Sequence, residues 1–172
     1  MRHVRRGGSY LRVADPAWED PLSGDYARDR GERWNPPGSF GVIYLNATVP
    51  VARAQVRDKL GARGIQPEDL EADQGPTLVR TTVPETEYVD AVTDAGLATL
   101  GLPETYPLDE DGVPVAHEVC QPIGQRAWDA GEDGIACRSA AESAPAGSEE
   151  LAYFARRSLQ ADAVEDFADW YW

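Results

Sequence analysis

Three arginines, two aromatics and a serine have the types and spacing to do chemistry. Arg33 and Trp34 open the run RWNPPGSFGVIYL, with Asn35 beside them, a stiff Pro36-Pro37-Gly38 turn next and Tyr44 near its end. Arg12 interrupts the otherwise apolar Tyr10-Leu11-Val13 stretch, and Arg138 and Ser139 follow the apolar run Gly134-Ile135-Ala136-Cys137. A guanidinium is a planar fork that makes two charge-assisted bonds, which suits a diphosphate. Trp34 or Tyr44 can stack on a base or face a cationic ring. Strand ends beside a cleft are where such groups converge on a ligand. The structural alternative is that the arginines are paired and the aromatics belong to the core.

Other chemistries lack a signature. There is no P-loop, no GxGxxG and no HExxH. His3 and His117 are far apart, so neither a histidine metal site nor a triad is expected, and His117 reads as a structural residue on a helix. Ser139, Ser143, Ser148 and Ser158 lack the context of a nucleophile elbow. Cys120 and Cys137 form no CxxC pair, which speaks against a disulfide framework or a zinc site and for a reducing compartment.

Charge narrows the partners. The formal net charge is -14, from 16 Lys+Arg against 30 Asp+Glu, and an anionic body repels nucleic acid. Lys59 is the single lysine. Such acidity serves solubility or a salt-rich cytoplasm, or else a basic partner protein. Seven arginines (Arg2, Arg5, Arg6, Arg12, Arg28, Arg30, Arg33) lie in the first 33 residues, which suggests a cationic pocket in an anionic body, or merely a solvated face. No apolar run is long enough for a membrane span, and the basic N-terminus has no apolar signal core.

The elements that must position these residues can be read from pattern. A length of 172 residues, 42% of them hydrophobic, fits one domain with its own core. Strands are expected at 9–13, 41–46, 77–83, 86–92, 134–139 and 149–155, with a loop over 14–32. Thr48 as N-cap and Pro50 in the first turn predict a helix whose Val49, Ala52, Val56 and Leu60 share a face. A short helical turn over 93–101 should close at Gly101, and 102–114 reads as surface loop. A helix over 115–130 should be broken or begun at Pro122. The tail DFADWYW reads as a last strand or a docking segment.

Several of these blocks together resemble a known family. Asp20-Pro21-Leu22-Ser23-Gly24, then Gly31-Glu32-Arg33-Trp34-Asn35-Pro36-Pro37-Gly38, then Ile43-Tyr44-Leu45, Ala127-Trp128 and Gly134–Ser139 look like the RES domain, named for an Arg, a Glu and a Ser. The likeness runs from about Tyr10 to Phe154. It implies an α+β, ADP-ribosyltransferase-like fold of short strands, a central β core flanked by helices, with the core over about 9–156 and an aromatic tail over 157–172. It implies cleavage of NAD+ at the nicotinamide–ribose bond by hydrolysis or phosphorolysis, with mono-ADP-ribosylation of a protein as the alternative. It further implies a cytoplasmic toxin held by an Xre-like antitoxin, with NAD+ as substrate and neither a separate cofactor nor a metal. By the match, Arg12, Arg33, Tyr44 and Ser139, together with Gln55 at the place of the family glutamate, are the catalytic residues, and Trp34, Asn35 and Arg138 would contact substrate.

One position departs from the family pattern. The family glutamate falls eleven residues after the tyrosine, where this chain has Gln55. Asp58 is the nearest carboxylate and can share a helix face with it. Glutamine can hydrogen-bond a ribose hydroxyl but cannot take a proton or offset a positive charge. Three outcomes follow: an enzyme in which Asp58 or another acid stands in, one that works mainly through binding geometry, or an inactive NAD+-binding or regulatory relative. The enzyme is the expectation carried forward.

Overall fold

The computed structural model describes residues 1–71 and 73–172. Its strands are β1 (His3–Ala14), β2 (Val42–Asn46), β3 (Thr77–Ala91), β4 (Gly134–Arg138), β5 (Glu149–Phe154) and β6 (Ala161–Glu165). Its helices are α1 (Asp25–Arg30), α2 (Val49–Gly61), α3 (Asp94–Leu100), α4 (His117–Asp129) and α5 (Phe167–Trp170). The sheet order is β1-β2-β5-β4-β3-β6, and β1 also pairs with β3, so the pairings of five strands close on themselves. Only β3 and β4 run parallel; the other pairs are antiparallel.

The mixed α+β expectation holds, with differences that have physical reasons. The two strands expected at 77–83 and 86–92 are one long strand, because Pro84 falls at a register shift. At that irregularity Pro84 and Glu85 lie opposite Gly7 of β1, so the N–H that proline lacks is not needed in the ladder. The expected 14–32 loop contains α1, whose Asp25 starts it and whose Arg28 and Arg30 end it, as the helix dipole favours. Pro122 sits inside α4 rather than starting it. Thr48 occupies the N-cap position of α2 but makes no side-chain capping bond. The tail DFADWYW is not a strand: 167–170 form α5, which docks against α2, and the last strand, β6, precedes it at 161–165.

Alternation along the strands gives the sheet two apolar faces. On one face Val42, Val89, Ile135, Cys137, Ala152 and Phe154 pack against α3, α4 and Trp34. On the other, Tyr10, Ile43, Leu45, Ala136, Leu151 and Tyr153 form a second cluster. The third cluster carries α2: Ala52 and Val56, with Val49 and Leu60 at its margin, meet Leu11, Leu78, Phe167, Trp170 and Tyr171. That is the helix face read from the sequence, now with its partner, the C-terminal aromatics. Trp170 Nε1 donates to the Pro76 carbonyl at 3.0 Å, and Arg53 donates to the Trp170 carbonyl at 2.9 Å, so the tail is bonded to β3's approach and to α2.

The RWNPPG turn is wedged between α1 and α4. Gly31 adopts φ +70, and a Cβ there would meet Pro37 N at 2.6 Å. Gly124 of α4 lies so close to the turn that a Cβ would stand 1.6 Å from the Trp34 carbonyl oxygen. No backbone atom can tolerate that, so any side chain at 124 must drive α4 away from the turn. Gly124→Ala is therefore expected to cost at least about 1–3 kcal/mol, as overpacking does. Urea unfolding followed by tryptophan fluorescence measures it; an unchanged midpoint would refute this packing.

Candidate functional site

Tyr44 organises the turn. Its hydroxyl donates to Asn35 Oδ1 at 2.9 Å and accepts from the Trp34 backbone N–H at 2.9 Å. Asn35 Nδ2 donates to the Ala27 carbonyl at 2.6 Å, which ties the same turn to α1. Burial pushes the Tyr44 phenol well above its ordinary pKa, so the bond is made by a neutral hydroxyl. Trp34 and Asn35, expected to contact substrate, are both fully buried. Trp34 packs beside Tyr106 in the core, with ring centroids 5.9 Å apart. The core alternative therefore accounts for their burial: Asn35 is fully bonded, and packing encloses Trp34, whose Nε1 is left buried without a hydrogen-bond partner.

The clamp leaves Arg33 half-buried at the edge of the turn. Its Nη1 donates to the Val115 carbonyl at 2.8 Å. Among the described residues it forms no ion pair. A guanidinium carries five donors and keeps its charge, so most of its bonding capacity is unspent. Its field reaches Tyr44, Tyr106, Cys120, Cys137 and Glu150, favouring the anionic form of each.

Strand register assembles the rest. Asn46 of β2 lies opposite Glu150 of β5, and Glu150 lies opposite Cys137 of β4. Tyr44 is two residues before Asn46 and Ser139 two after Cys137, so all five start from the same side of the sheet. Ser139 Oγ donates to Glu150 Oε1 at 2.5 Å and accepts from the Ala141 N–H at 3.2 Å. Gln55, brought over by α2, accepts at Oε1 from Asn46 Nδ2 at 3.1 Å. Burial raises the Glu150 carboxyl above the ordinary glutamate range, while Ser139, Gln55, the Ala140 N–H and Arg33 pull it back down. Asn46 Oδ1 and Tyr106 Oη are buried without a hydrogen-bond partner, which is uncommon in a finished core.

Arg33, Tyr44, Gln55 and Ser139 thus fall in one neighbourhood. Arg12 does not join them. It shares its strand face with Tyr10 and Ala14, donates to the Ser23 carbonyl at 2.9 Å and lies 5.2 Å from the centre of the Trp18 ring. Burial pulls it down to about 10, with Asp20 opposing the fall, so it is still charged at neutral pH. Its place is that of a scaffold for the DPLSG loop. Arg138 is also occupied: it bonds the Val92, Glu104 and Tyr106 carbonyls and pairs with Asp94 at 2.6 Å. Asp58, the nearest acid to Gln55 in sequence, accepts from Ser143 Oγ at 2.7 Å and pins the 140–148 loop.

Sequence reasoning missed Glu150. It reads as one of two acids starting an ordinary strand, and only the register against Asn46 and Cys137 shows that it faces the site while Glu149 pairs with Arg6 at 2.7 Å. Among the described residues no group of three His, Cys, Asp or Glu could hold a metal ion. Cys120 and Cys137 are both free and buried. No described helix is long and apolar enough to cross a membrane.

The RES domain profile matches residues 9–170. The chain belongs to the RES domain family. Among solved structures it is similar to the crystal structure of the M. tuberculosis MbcT–MbcA toxin–antitoxin complex, at 25% identity and a TM-score of 0.76, over 95% of this chain and 86% of that one. The fold is accordingly the ADP-ribosyltransferase-like one that the RWNPPG and GIACRS blocks implied. A comparison with curated proteins finds no match.

Two measurements probe this geometry. Tyr44→Phe leaves the Trp34 N–H and Asn35 Oδ1 unpaired and is expected to cost roughly 1–3 kcal/mol for each buried group left without a partner, read by urea unfolding. For Glu150 the pKa is higher folded than unfolded, so the folded state binds its proton more tightly. The stability this gives is complete below the ordinary glutamate pKa, about 4.3, and is lost as pH rises through the raised value. Glu150→Gln removes that loss, so its stability relative to wild type should climb with pH across that window. A flat difference in unfolding free energy would show that the carboxyl is not perturbed.

Proposed function

We propose that this RES domain degrades NAD+ by breaking its nicotinamide–ribose bond, with water or phosphate as acceptor. The observation that carries the reading is Arg33: half-buried, charged, without an ion pair among the described residues, and grouped with Tyr44, Gln55, Ser139 and Glu150. A dinucleotide presents what such a site would meet. Its diphosphate is an acceptor for the unspent guanidinium donors, and the ribose hydroxyls match the serine, amide and carboxylate. The nicotinamide is a cationic ring, for which the half-buried Tyr44 offers an aromatic face. Of the two arginines expected to clamp the diphosphate, only Arg33 is retained in this role; Arg12 supports the neighbouring loop. NAD+ is the substrate in this reading, and no separate cofactor or metal is required.

The toxin role follows from the likeness to MbcT, whose solved structure is a toxin–antitoxin complex. An Xre-like antitoxin is the proposed partner and the cytoplasm the proposed location. Transfer of ADP-ribose to a protein is the second reading. It is favoured by the same fold, and differs in letting a protein nucleophile take the place of water.

Purified protein incubated with NAD+, with and without phosphate, should release nicotinamide, read by chromatography. Arg33→Ala should lower the rate by about 10- to 100-fold, the scale of a lost charged hydrogen bond. Release no faster than in the Arg33→Ala protein would overturn the enzyme. Label from NAD+ appearing on added protein rather than in free ADP-ribose would select the transferase.

A further inference from the structure

We infer that Glu150 is the catalytic carboxylate of this site, doing from the sheet what the family glutamate would do from the helix position now held by Gln55. The inference rests on the NAD+ reading above. Breaking the glycosidic bond sends its electron pair to the pyridine nitrogen and releases neutral nicotinamide. The ribose C1′ is left as an oxocarbenium ion. Water then bonds to C1′ and must lose a proton. The balance is NAD+ plus water to ADP-ribose, nicotinamide and one proton. A carboxylate can offset the cation and accept that proton; a carboxamide can do neither.

The geometry singles out Glu150. Its carboxylate accepts from Ser139 Oγ at 2.5 Å, and it lies directly across from Asn46, whose amide holds Gln55 Oε1 at 3.1 Å. Because Gln55 Oε1 is taken by Asn46, the NH2 end of its amide is the one left for the carboxylate. The Ala140 N–H supports the same group. Residue 150 is half-buried rather than sealed in the core. Gln55 then becomes a positioning residue, donating to the acid instead of being it. Asp58 is already committed: its carboxylate accepts from Ser143 Oγ at 2.7 Å and from the Ser143 N–H, and no contact joins it to Ser139, Gln55 or Asn46 among the described hydrogen bonds.

A structural role would look different. Ser139 and the 140–148 loop could be held by a neutral amide equally well, and no cation pairs with Glu150 among the described salt bridges. A partly enclosed carboxylate that lacks a cationic partner works against stability. Groups of that kind concentrate where chemistry is done.

The test compares nicotinamide release by wild type, Glu150→Gln, Gln55→Glu and the double variant, with melting curves for each. Glu150→Gln should lose about 100- to 10,000-fold in rate, the range for a general base, without melting earlier. The wild-type rate should rise with pH as the carboxyl ionises, and that limb should vanish in the variant. Gln55→Glu should bring no gain, because it crowds two carboxylates into one site. The double variant moves the acid back to the helix and should recover at least tenfold over Glu150→Gln. If wild type turns over and Glu150→Gln stays within threefold of it, Glu150 is overturned and the NAD+ reading survives. A tenfold gain in Gln55→Glu likewise overturns it, by showing that the native site lacks a working acid. If wild type releases no more than Arg33→Ala, the NAD+ reading itself fails and takes the role of Glu150 with it.

Discussion

The hydroxyl of Tyr44 is shared between two bonds, one accepted from Trp34 N and one donated to Asn35 Oδ1. A strand residue thereby fixes a turn ten positions earlier in the chain. Asn35 extends the hold to α1, and Gly124 lets α4 close over the same backbone. Arg33 is followed on its chain by two buried, hydrogen-bonded residues, Trp34 and Asn35. Its guanidinium is therefore presented at a fixed place without any acid to hold it there. A surface arginine would lose its orientation to side-chain entropy; here a fixed backbone and the bond from Nη1 to the Val115 carbonyl reduce that loss.

The electrostatics of the site follow from this placement. The body of the protein is strongly acidic, yet Glu150, an acid within the field of Arg33, is bonded to a serine rather than to the arginine. Cation and anion are thus both held by neutral groups, and both keep capacity for a ligand. Had they paired directly, the site would be a structural ion pair, and the energy needed to separate them would count against any substrate. Cys120 and Cys137 line the same region but are pushed up by burial, so neither adds a competing thiolate.

Much of this was legible in the sequence. The RWNPPG block announced a rigid turn that carries an arginine, because proline pairs and glycine leave few conformations. The apolar face of α2 could be read from Val49, Ala52, Val56 and Leu60, since helical spacing is local. What could not be read depends on register. Arg12 looks like Arg33 in one dimension, yet alternation turns it to the other face, where Ser23 and Trp18 take it up. Trp34 looks like a stacking platform, but packing from Tyr106 and α4 encloses it. Glu150 was invisible because its role depends on Asn46, which comes from a strand far away in the chain, and on a register with Cys137 that no local pattern sets. Pro84 suggested a strand break, and only the bulge opposite Gly7 shows why the strand continues through it.

The helix that brings Gln55 to the site packs against Phe167, Trp170 and Tyr171, and Arg53 of that helix is bonded to the carbonyl of Trp170. Residues at one end of the chain thus brace an element formed early in it. On the ribosome, α2 emerges more than a hundred residues before the aromatics that seat it. The nascent polypeptide therefore carries α2, and with it Gln55, without this packing until Tyr171 has been made. Placement of Gln55 is thus coupled to side chains more than a hundred positions away, so the order in which the segments are made is also an order in which the site can be completed.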